Sequence, residues 1–361
     1  MYKSISIKNF RGLGDLRFDD LAQINLIAGQ NDVGKTSLLE ALWIAGGAYN
    51  PSLALRINSF RGLERVRLPS GTWAEPPWIG IFRSFHIGIH IELETVDTRR
   101  TRRRMTLRHV LDAQELSKAG SVLEAESELS ESGALPSSSP THALALEFRQ
   151  SRKPVQTYFL VASGGEIRVF PPPPGPPFQT FFHGARFRSP PREQAEQFSS
   201  LEKDRRLSLL VQALSSIDER LRSLSLLVEA GETLIHADIG LPRPVPLPLM
   251  GEGMVHLASI ILQIANAPGG VVLIDEIENG FHHSVINKVW TAVAEASRLF
   301  NTQVFATTHS YECIAAASRS LGDGDLGFTV HRLERIRDKV SVRTYTKDVL
   351  KAALEAELEI R

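Results

Sequence analysis

Gly29-Gln30-Asn31-Asp32-Val33-Gly34-Lys35-Thr36, with Ser37 following, satisfies G-x-x-x-x-G-K-[ST] at every fixed position. Ala22-Gln23-Ile24-Asn25-Leu26-Ile27-Ala28 before it reads as a short apolar strand, and Thr36 through Ala45 reads as the opening of a helix. A strand, a loop and a helix in that order separate a phosphate-binding loop from a chance glycine-rich turn.

The residue types carry the chemistry. Gly29 and Gly34 let the backbone turn so that consecutive N–H groups point inward at phosphate oxygens. The N-terminus of the following helix adds partial positive charge. Lys35 can then reach the outer phosphates, and the Thr36 hydroxyl can ligate Mg²⁺. The expectation is a bound nucleoside triphosphate with Mg²⁺, cradled by residues 29–37.

At 361 residues and 42% hydrophobic, the chain can bury a large core, as one domain or a domain with an insertion. Basic and acidic residues number 41 each, so no global field attracts nucleic acid, and any such contact must be local. The single cysteine, Cys313, rules out an internal disulfide and fits a reducing compartment. A strand pattern opens the chain at once, and no run of about 18 apolar residues appears. A soluble, cytoplasmic protein is expected.

Met1 to Phe10 alternates, with Tyr2, Ser4, Ser6 and Lys8 on one side and Ile5, Ile7 and Asn9 on the other, as in a half-buried strand. Asp15 to Phe18 is a second short strand. Ile7-Lys8-Asn9-Phe10-Arg11-Gly12, with the phosphate loop soon after, resembles the opening of the ABC-type ATPases that work with nucleic acid: RecF, the SMC proteins and the OLD (overcoming lysogenization defect) family.

The middle of the chain is irregular. Asn50 to Pro77 mixes turn residues with arginines, and Ile79 to Glu94 alternates like one long strand or a hairpin arm. The cluster Arg99, Arg100, Arg102, Arg103 and Arg104 has two readings, a DNA phosphate-backbone contact or a solvated hairpin charge run. Glu115 to Thr141, rich in Ser, Glu and Ala, reads as a connector. Ala143–Phe148, Thr157–Ala162 and Glu166–Phe170 predict further antiparallel strands, and Pro171 to Pro177 an extended spacer. Phe178 to Phe187 reads as a strand, and Arg192 to Leu227 as a long helical region without clean heptads.

From Gly269 the sequence is dense with chemistry. Gly270-Val271-Val272-Leu273-Ile274-Asp275-Glu276 is a fully apolar run, as a central parallel strand requires, ending in two acids. Its C-terminal end lies where ligands of open α/β sheets sit. Asp275 is placed to hold the Mg²⁺ hydration shell, and Glu276 to polarise the attacking water. Upstream, Leu249 to Met254 leads into an apolar helix over Val255–Ala265.

Here the resemblance continues. Gly251-Glu252-Gly253 is similar to the degenerate ABC signature of OLD-type ATPases, with Gly251 where a serine is usual and His256 where a basic residue is frequent. Ile277 to His283 is similar to the family's Glu-Asn-Gly-Leu-His-Pro stretch, with His283 replacing the proline. Gln303 to Ser310 resembles the switch-histidine strand, which gives His309 the sensing of the γ-phosphate. For the glutamine loop, Gln150 and Gln179 both remain open. Gly327–Leu333 and Lys339–Tyr345 read as a hairpin, followed by a helix from Asp348 to about Glu359.

The resemblance implies an ABC-type P-loop ATPase of the OLD/RecF-like group, within the AAA family, without the TOPRIM nuclease domain of OLD nucleases. The expected fold is α/β: a head with a mixed central sheet, an antiparallel β arm and an inserted helical lobe. Residues 1–48 and 249–361 would form the head, 49–177 the β-rich arm and low-complexity insertion, and 178–248 a strand plus helical lobe. The family further implies a homodimer with ATP sandwiched between phosphate loop and signature, controlling a separate effector, a nuclease, in anti-phage defence. A RecF/SMC-like DNA-repair ATPase is the alternative. The opening strand and the Gly-Glu-Gly turn argue against a transporter ATPase with a membrane partner.

Overall fold

The computed structural model describes residues 1–47, 50–58, 75–112, 114–116, 142–163, 166–185, 189–229, 231–322, 326–337, 339–356 and 360. At its centre Ile24–Ala28 (β3) is buried at every position, so both its faces must be covered. Ile24, Leu26 and Ala28 enter one hydrophobic cluster and Ile27 the other.

β3 lies inside a six-stranded mixed sheet. It is flanked by Gln303–Thr308 (β14) and Phe328–Ile336 (β15), both parallel to it. Val271–Ile274 (β13) pairs parallel with β14, and Thr180–His183 (β9) pairs parallel with β13. Lys339–Tyr345 (β16) closes the other edge antiparallel to β15, giving the order β16-β15-β3-β14-β13-β9. The C-terminal ends of five parallel strands therefore open on one side, where ligands of such sheets bind.

Lys35–Gly46 (α1) follows β3 and is buried at ten of its twelve residues. A helix buried all round needs a layer on each side. Leu38, Leu39, Leu42 and Ile44 join a cluster with Tyr2, Ile5, Ile7 and Leu93, which belong to a second sheet. That sheet is antiparallel and seven-stranded. It contains Tyr2–Phe10 (β1), Leu13–Phe18 (β2), Ile91–Asp97 (β4), Arg102–His109 (β5), His142–Gln150 (β6), Gln156–Ser163 (β7) and Glu166–Phe170 (β8) in the order β2-β1-β4-β5-β6-β7-β8. The strands expected as an arm thus continue the sheet begun by β1.

The other face of the mixed sheet carries Glu252–Ala265 (α4), Ile286–Phe300 (α5) and Tyr311–Leu321 (α6). Pro191–Lys203 (α2) and Leu207–Ser215 (α3) pack on the same cluster through Phe198, Leu201, Leu210 and Leu214. Lys347–Glu355 (α7) ends the described helices. This is the expected α/β class, with a mixed sheet, an antiparallel sheet and inserted helices.

Four local expectations differ from the structure. β1 does not alternate throughout, because its register against β4 shifts between Tyr2 and Ser4, so Tyr2 and Ile5 are both buried. Ile79 to Glu94 is not one strand. Two 3₁₀ turns occupy Ile79–Ile81 and Arg83–Phe85, with Ser84 and Phe85 at φ 52° and 60°, and the strand begins only at Ile91. The helical region expected to reach Leu227 stops at Ser215. Ser223–Glu229 (β10), Glu232–Asp238 (β11) and Val245–Pro246 (β12) form a separate three-stranded sheet, because cross-strand pairing outweighs a short run's ambiguous period. β9 is confined to Thr180–His183. Residues 59–74 of the expected turn-rich stretch, 117–141 of the expected connector, 186–187 of the expected strand and 357–359 of the expected last helix lie outside the described residues.

One buried amide joins the two sheets. The Tyr2 backbone N–H donates to Gln303 Oε1 at 2.6 Å. Gln303 Nε2 donates to the carbonyls of Tyr2 at 2.8 Å and Ala22 at 2.7 Å. Gln303 starts β14 and Tyr2 starts β1, so this side chain ties the strand ends across the core. Gln303→Ala should destabilise the fold by about 2–4 kcal/mol, since buried backbone groups lose their partners. The midpoint of denaturant unfolding measures this, and an unchanged midpoint would show that the sheets are held together elsewhere.

Candidate functional site

The loop between β3 and α1 has the backbone that its glycines foretell. Gly29 has φ 149° and Gly34, which caps α1, has φ 107°. A Cβ on Gly29 would stand 2.7 Å from the Leu333 carbonyl oxygen, and one on Gly34 2.8 Å from Leu13 Cδ2. Glycine is therefore required at both positions. Lys35 folds back along the loop, its Nζ donating to the carbonyls of Gly29 at 2.7 Å and Gln30 at 2.9 Å. Burial pushes its pKa down, opposed by the carboxylates of Asp275, Glu278, Glu276 and Asp32. Arg11, from the Asn-Phe-Arg-Gly turn, pairs its Nε with buried Glu40 of α1 at 3.0 Å, locking the opening turn to the loop's helix.

β13 delivers Asp275 and Glu276 to the same edge. Thr36 Oγ1 lies 3.1 and 3.0 Å from the two Asp275 oxygens. Thr307, from β14, donates its hydroxyl to Asp275 Oδ1 at 2.7 Å and accepts from the Glu276 N–H at 2.8 Å. Desolvation raises the Asp275 pKa, while the Thr307 and Thr36 hydrogen bonds pull it back. Thr36 Oγ1 and the Asp275 carboxylate are oxygen donors of the hard kind that Mg²⁺ takes, and the two would hold it together. These two hard oxygens therefore fit Mg²⁺. Among the described residues no group of three or more His, Cys, Asp or Glu could hold a metal, so phosphate and water would complete its shell.

Glu276 has a left-handed backbone, φ 52°, which is uncommon for a residue with a side chain. Its Oε2 accepts from Asn279 Nδ2 at 2.7 Å. His309 follows β14, and Glu278 Oε1 accepts from its N–H at 3.0 Å and lies 3.2 Å from its ring Nδ1. The same Glu278 oxygen accepts the Thr308 hydroxyl at 2.8 Å. Thr307, Glu278 and Asn279 lie in the stretches Gln303–Ser310 and Ile277–His283 that carry the resemblance, but no individual role for any of them is read there. The signal was available, because polar residues that end parallel strands, and the loop beyond them, surround any site at that edge.

Gly251, with φ 106°, caps α4, and Glu252 and Gly253 begin the helix. A Cβ on Gly253 would stand 2.9 Å from the Gly280 carbonyl oxygen, and one on Gly280 3.1 Å from Glu252 Cγ. The turn is thus packed against the segment that follows the two acids. Glu252 and Gly280 line a cavity of about 190 Å³ with His183, His256, Ser259 and Gln194. The phosphate loop lines a different cavity, with residues 332–336 of β15.

Neither glutamine-loop candidate reaches the site. Gln150 ends β6 in the antiparallel sheet. Gln179 precedes β9, and its carbonyl accepts from Val271 N–H at the N-terminal end of the strands, opposite the ligand edge. The C-terminal end of β9 instead presents His183, whose ring lies 4.6 Å from that of His256 and 3.4 Å by Nδ1 from Ser259 Oγ. The arginine cluster forms the β4–β5 hairpin. Arg102 and Arg104 pair with Glu94 at 3.5 and 2.7 Å, and Arg103 pairs with Asp97 at 3.0 Å. Three of the five guanidiniums thus face carboxylates of their own hairpin, leaving Arg99 and Arg100 exposed at the turn. Among the described residues no helix is long and apolar enough to cross a membrane.

Residues 24–315 match the family described as "AAA domain, putative AbiEii toxin, Type IV TA system". The match spans most of the chain, which belongs to that AAA-domain family. The chain is 24% identical over 352 residues to a Helicobacter pylori protein named "ATP/GTP phosphatase", covering 90% of each. It is also similar to two crystal structures of SMC heads. One is bound to the C-winged helix domain of ScpA, with 12% identity, 98% and 99% coverage and a TM-score of 0.48. The other has an extended coiled coil bound to the C-terminal domain of ScpA derived from Pyrococcus furiosus, with 10% identity, 99% coverage of each chain and a TM-score of 0.48. The family match makes the chain an AAA domain, and its fold is mixed α/β.

His183 gives the site a pH signature. Burial, then the neighbouring His256, lowers its pKa to about 3, so it stays neutral in the folded chain. An unfolded imidazole titrates near 6.5, so the unfolded chain takes up the proton first and stability falls as pH drops below about 6.5. At pH 5 this amounts to about 2 kcal/mol, from roughly 1.36 kcal/mol per pH unit over roughly 1.5 units. His183→Gln should flatten that part of the profile. Unfolding midpoints between pH 7 and 4.5 check it, and a variant whose midpoint falls as steeply as the wild type's would refute it.

Proposed function

We propose that this chain is an Mg²⁺-dependent ATPase of the OLD/RecF-like group that works as an ATP-gated homodimeric switch. The observation that carries the reading is the bonding of Thr36 and Thr307 to the Asp275 carboxylate. It brings the loop after β3, the acids after β13 and the end of β14 to one point on the sheet edge. The name of the Helicobacter pylori relative, an ATP/GTP phosphatase, supports nucleotide hydrolysis.

In this reading Lys35 exchanges its two backbone carbonyls for the outer phosphates of ATP, and residues 29–37 supply N–H groups to them. Thr36 and Asp275 would hold Mg²⁺, which when bound neutralises charge on the phosphates. Glu276 takes a proton from the attacking water, oriented by Asn279, so that the water oxygen can bond to the γ-phosphorus as the bridging oxygen leaves with ADP. His309, braced by Glu278, donates to the γ-phosphate.

The signature turn and the phosphate loop line separate cavities within one chain. A second copy would bring its Gly251-Glu252-Gly253 turn and helix N-terminus over the nucleotide, making a two-fold dimer with two ATP molecules. Closure on ATP and release on hydrolysis can gate a separate effector, a nuclease in anti-phage defence. The toxin–antitoxin wording of the family description favours such an effector setting.

Lys35→Ala should reduce ATP affinity at least about a hundredfold, since it removes the only lysine of the loop. Glu276→Gln should keep ATP affinity and lose about a hundredfold or more in turnover. Light scattering should then find the Glu276→Gln chain as a dimer with ATP and Mg²⁺. A monomer under those conditions would sink the sandwich, and undiminished ATP binding by the Lys35 variant would sink the phosphate-loop assignment.

A further inference from the structure

The phosphate loop accounts for the phosphates of a nucleotide but not for the nucleoside they carry. Thr36 faces Asp275, so the metal and the outer phosphates belong to the flank of β3 on which β14 and β13 lie. The sheet order leaves the other flank of β3 to β15. There a cleft of about 500 Å³ separates the outer turn of the loop, residues 30–33, from the end of β15, residues 332–336. Its size lies within the roughly 300–1,000 Å³ of small-ligand clefts.

Two side chains give the cleft its chemistry. Arg335 is exposed, yet its guanidinium is pinned. Nη2 donates to the Asp32 carbonyl at 3.3 Å and lies 3.3 Å from the place a Cβ on Gly12 would occupy. The planar cation is therefore held between the β1–β2 turn and the phosphate loop. Beside it Ile336 is 63% exposed, a large apolar side chain that the fold leaves uncovered. Arg332 is occupied by Glu334, its Nε 3.2 Å from the carboxylate, which leaves Arg335 as the cation of this wall. A fixed guanidinium plane next to an uncovered aliphatic group suits the face of an aromatic ring.

We propose that this cleft receives the base and ribose of the bound nucleoside triphosphate, the Arg335 guanidinium stacking on the base and Ile336 covering it. The assignment rests on the triphosphate reading of the loop. A Cβ on Gly12 would stand 3.3 Å from Arg335 Nη2, so a side chain there would crowd the guanidinium. Gly29, already confined by the Leu333 carbonyl, keeps β15 close enough to the loop for one ligand to touch both.

Displacement of a fluorescent ATP analogue from the full chain, with Mg²⁺ present, separates the two parts of the ligand. ATP and inorganic tripolyphosphate serve as competitors for wild type, Arg335→Ala and Ile336→Ser. Both positions are exposed, and equal melting temperatures confirm that the variants fold. Each variant should bind ATP about tenfold more weakly, the scale of one stacking contact, and tripolyphosphate as the wild type does. Unchanged ATP affinity in both variants overturns the assignment, as does an equal loss for tripolyphosphate. A wild type that binds ATP and tripolyphosphate equally overturns it while keeping the triphosphate reading, and one that binds neither removes that reading too.

Discussion

The buried carboxylate of Asp275 is the constraint around which the candidate site is arranged. A carboxylate taken from water is costly unless hydrogen bonds or a cation compensate it. Two hydroxyls do part of this, Thr36 from α1 and Thr307 from β14. Each can do so only if β3, β14 and β13 lie side by side and parallel, as their registers show. The sheet order and the side-chain bonds therefore support each other. Lys35 and Asp275 carry opposite charges and the same burden: desolvation lowers the pKa of the lysine and raises that of the acid. A ligand bearing phosphate oxygens and a divalent cation would relieve both at once, which gives a physical reason for so polar a set of groups at the edge of an apolar sheet.

Much of this was legible in the sequence because the site is built from local patterns. The glycine positions, the lysine and the apolar run before them predict one strand–loop–helix unit, and the unit is there from Ile24 to Gly46. Val271–Ile274 reads as a strand buried on both faces, and it is one. Less was legible where a short segment fits two periods. Ser223–Glu229 contains Leu224, Leu226, Leu227 and Val228, which suit a helix face as well as a strand, and only pairing with Glu232–Asp238 decides between them. Ile81, Phe85, Ile87 and Ile89 alternate as in a strand, yet the positive φ values at Ser84 and Phe85 break the chain into turns. Such choices are made by tertiary contact, which a window of sequence does not contain.

The same limit hid His183. It ends an apolar strand, after Phe181 and Phe182, much as His309 directly follows Gln303–Thr308. What made His309 readable was its position after the acids. His183 precedes them by a long stretch, and only the pairing of β9 with β13 brings it to the edge beside Asp275, whose N–H donates to the His183 carbonyl at 2.8 Å. Glutamine was sought there because of the resemblance. The side chain that topology puts in place is a neutral imidazole, held against His256 of the helix that opens with Gly251-Glu252-Gly253.

The segment from Asp275 to Phe281 connects these pieces. At its start Asp275 and Glu276 bond Thr307. In its middle Glu278 holds Thr308 and His309, and Asn279 holds Glu276. At its end the Gly280 carbonyl and Phe281 lie so close to Gly253 that a side chain there has no room. Three hydroxyls (Thr36, Thr307 and Thr308), one histidine and one glycine contact therefore share a stretch of seven residues. Close-packed groups of this kind do not deform freely, so moving one end requires the other to repack. If the Asp275 carboxylate turns toward a cation, the bond to Thr307 and the left-handed backbone at Glu276 are the first features to feel it. The Gly251-Glu252-Gly253 turn is the last, at the far end of the same segment. The chain's geometry thus sets the chemistry of the loop and the packing of the Gly-Glu-Gly turn on one continuous piece of backbone.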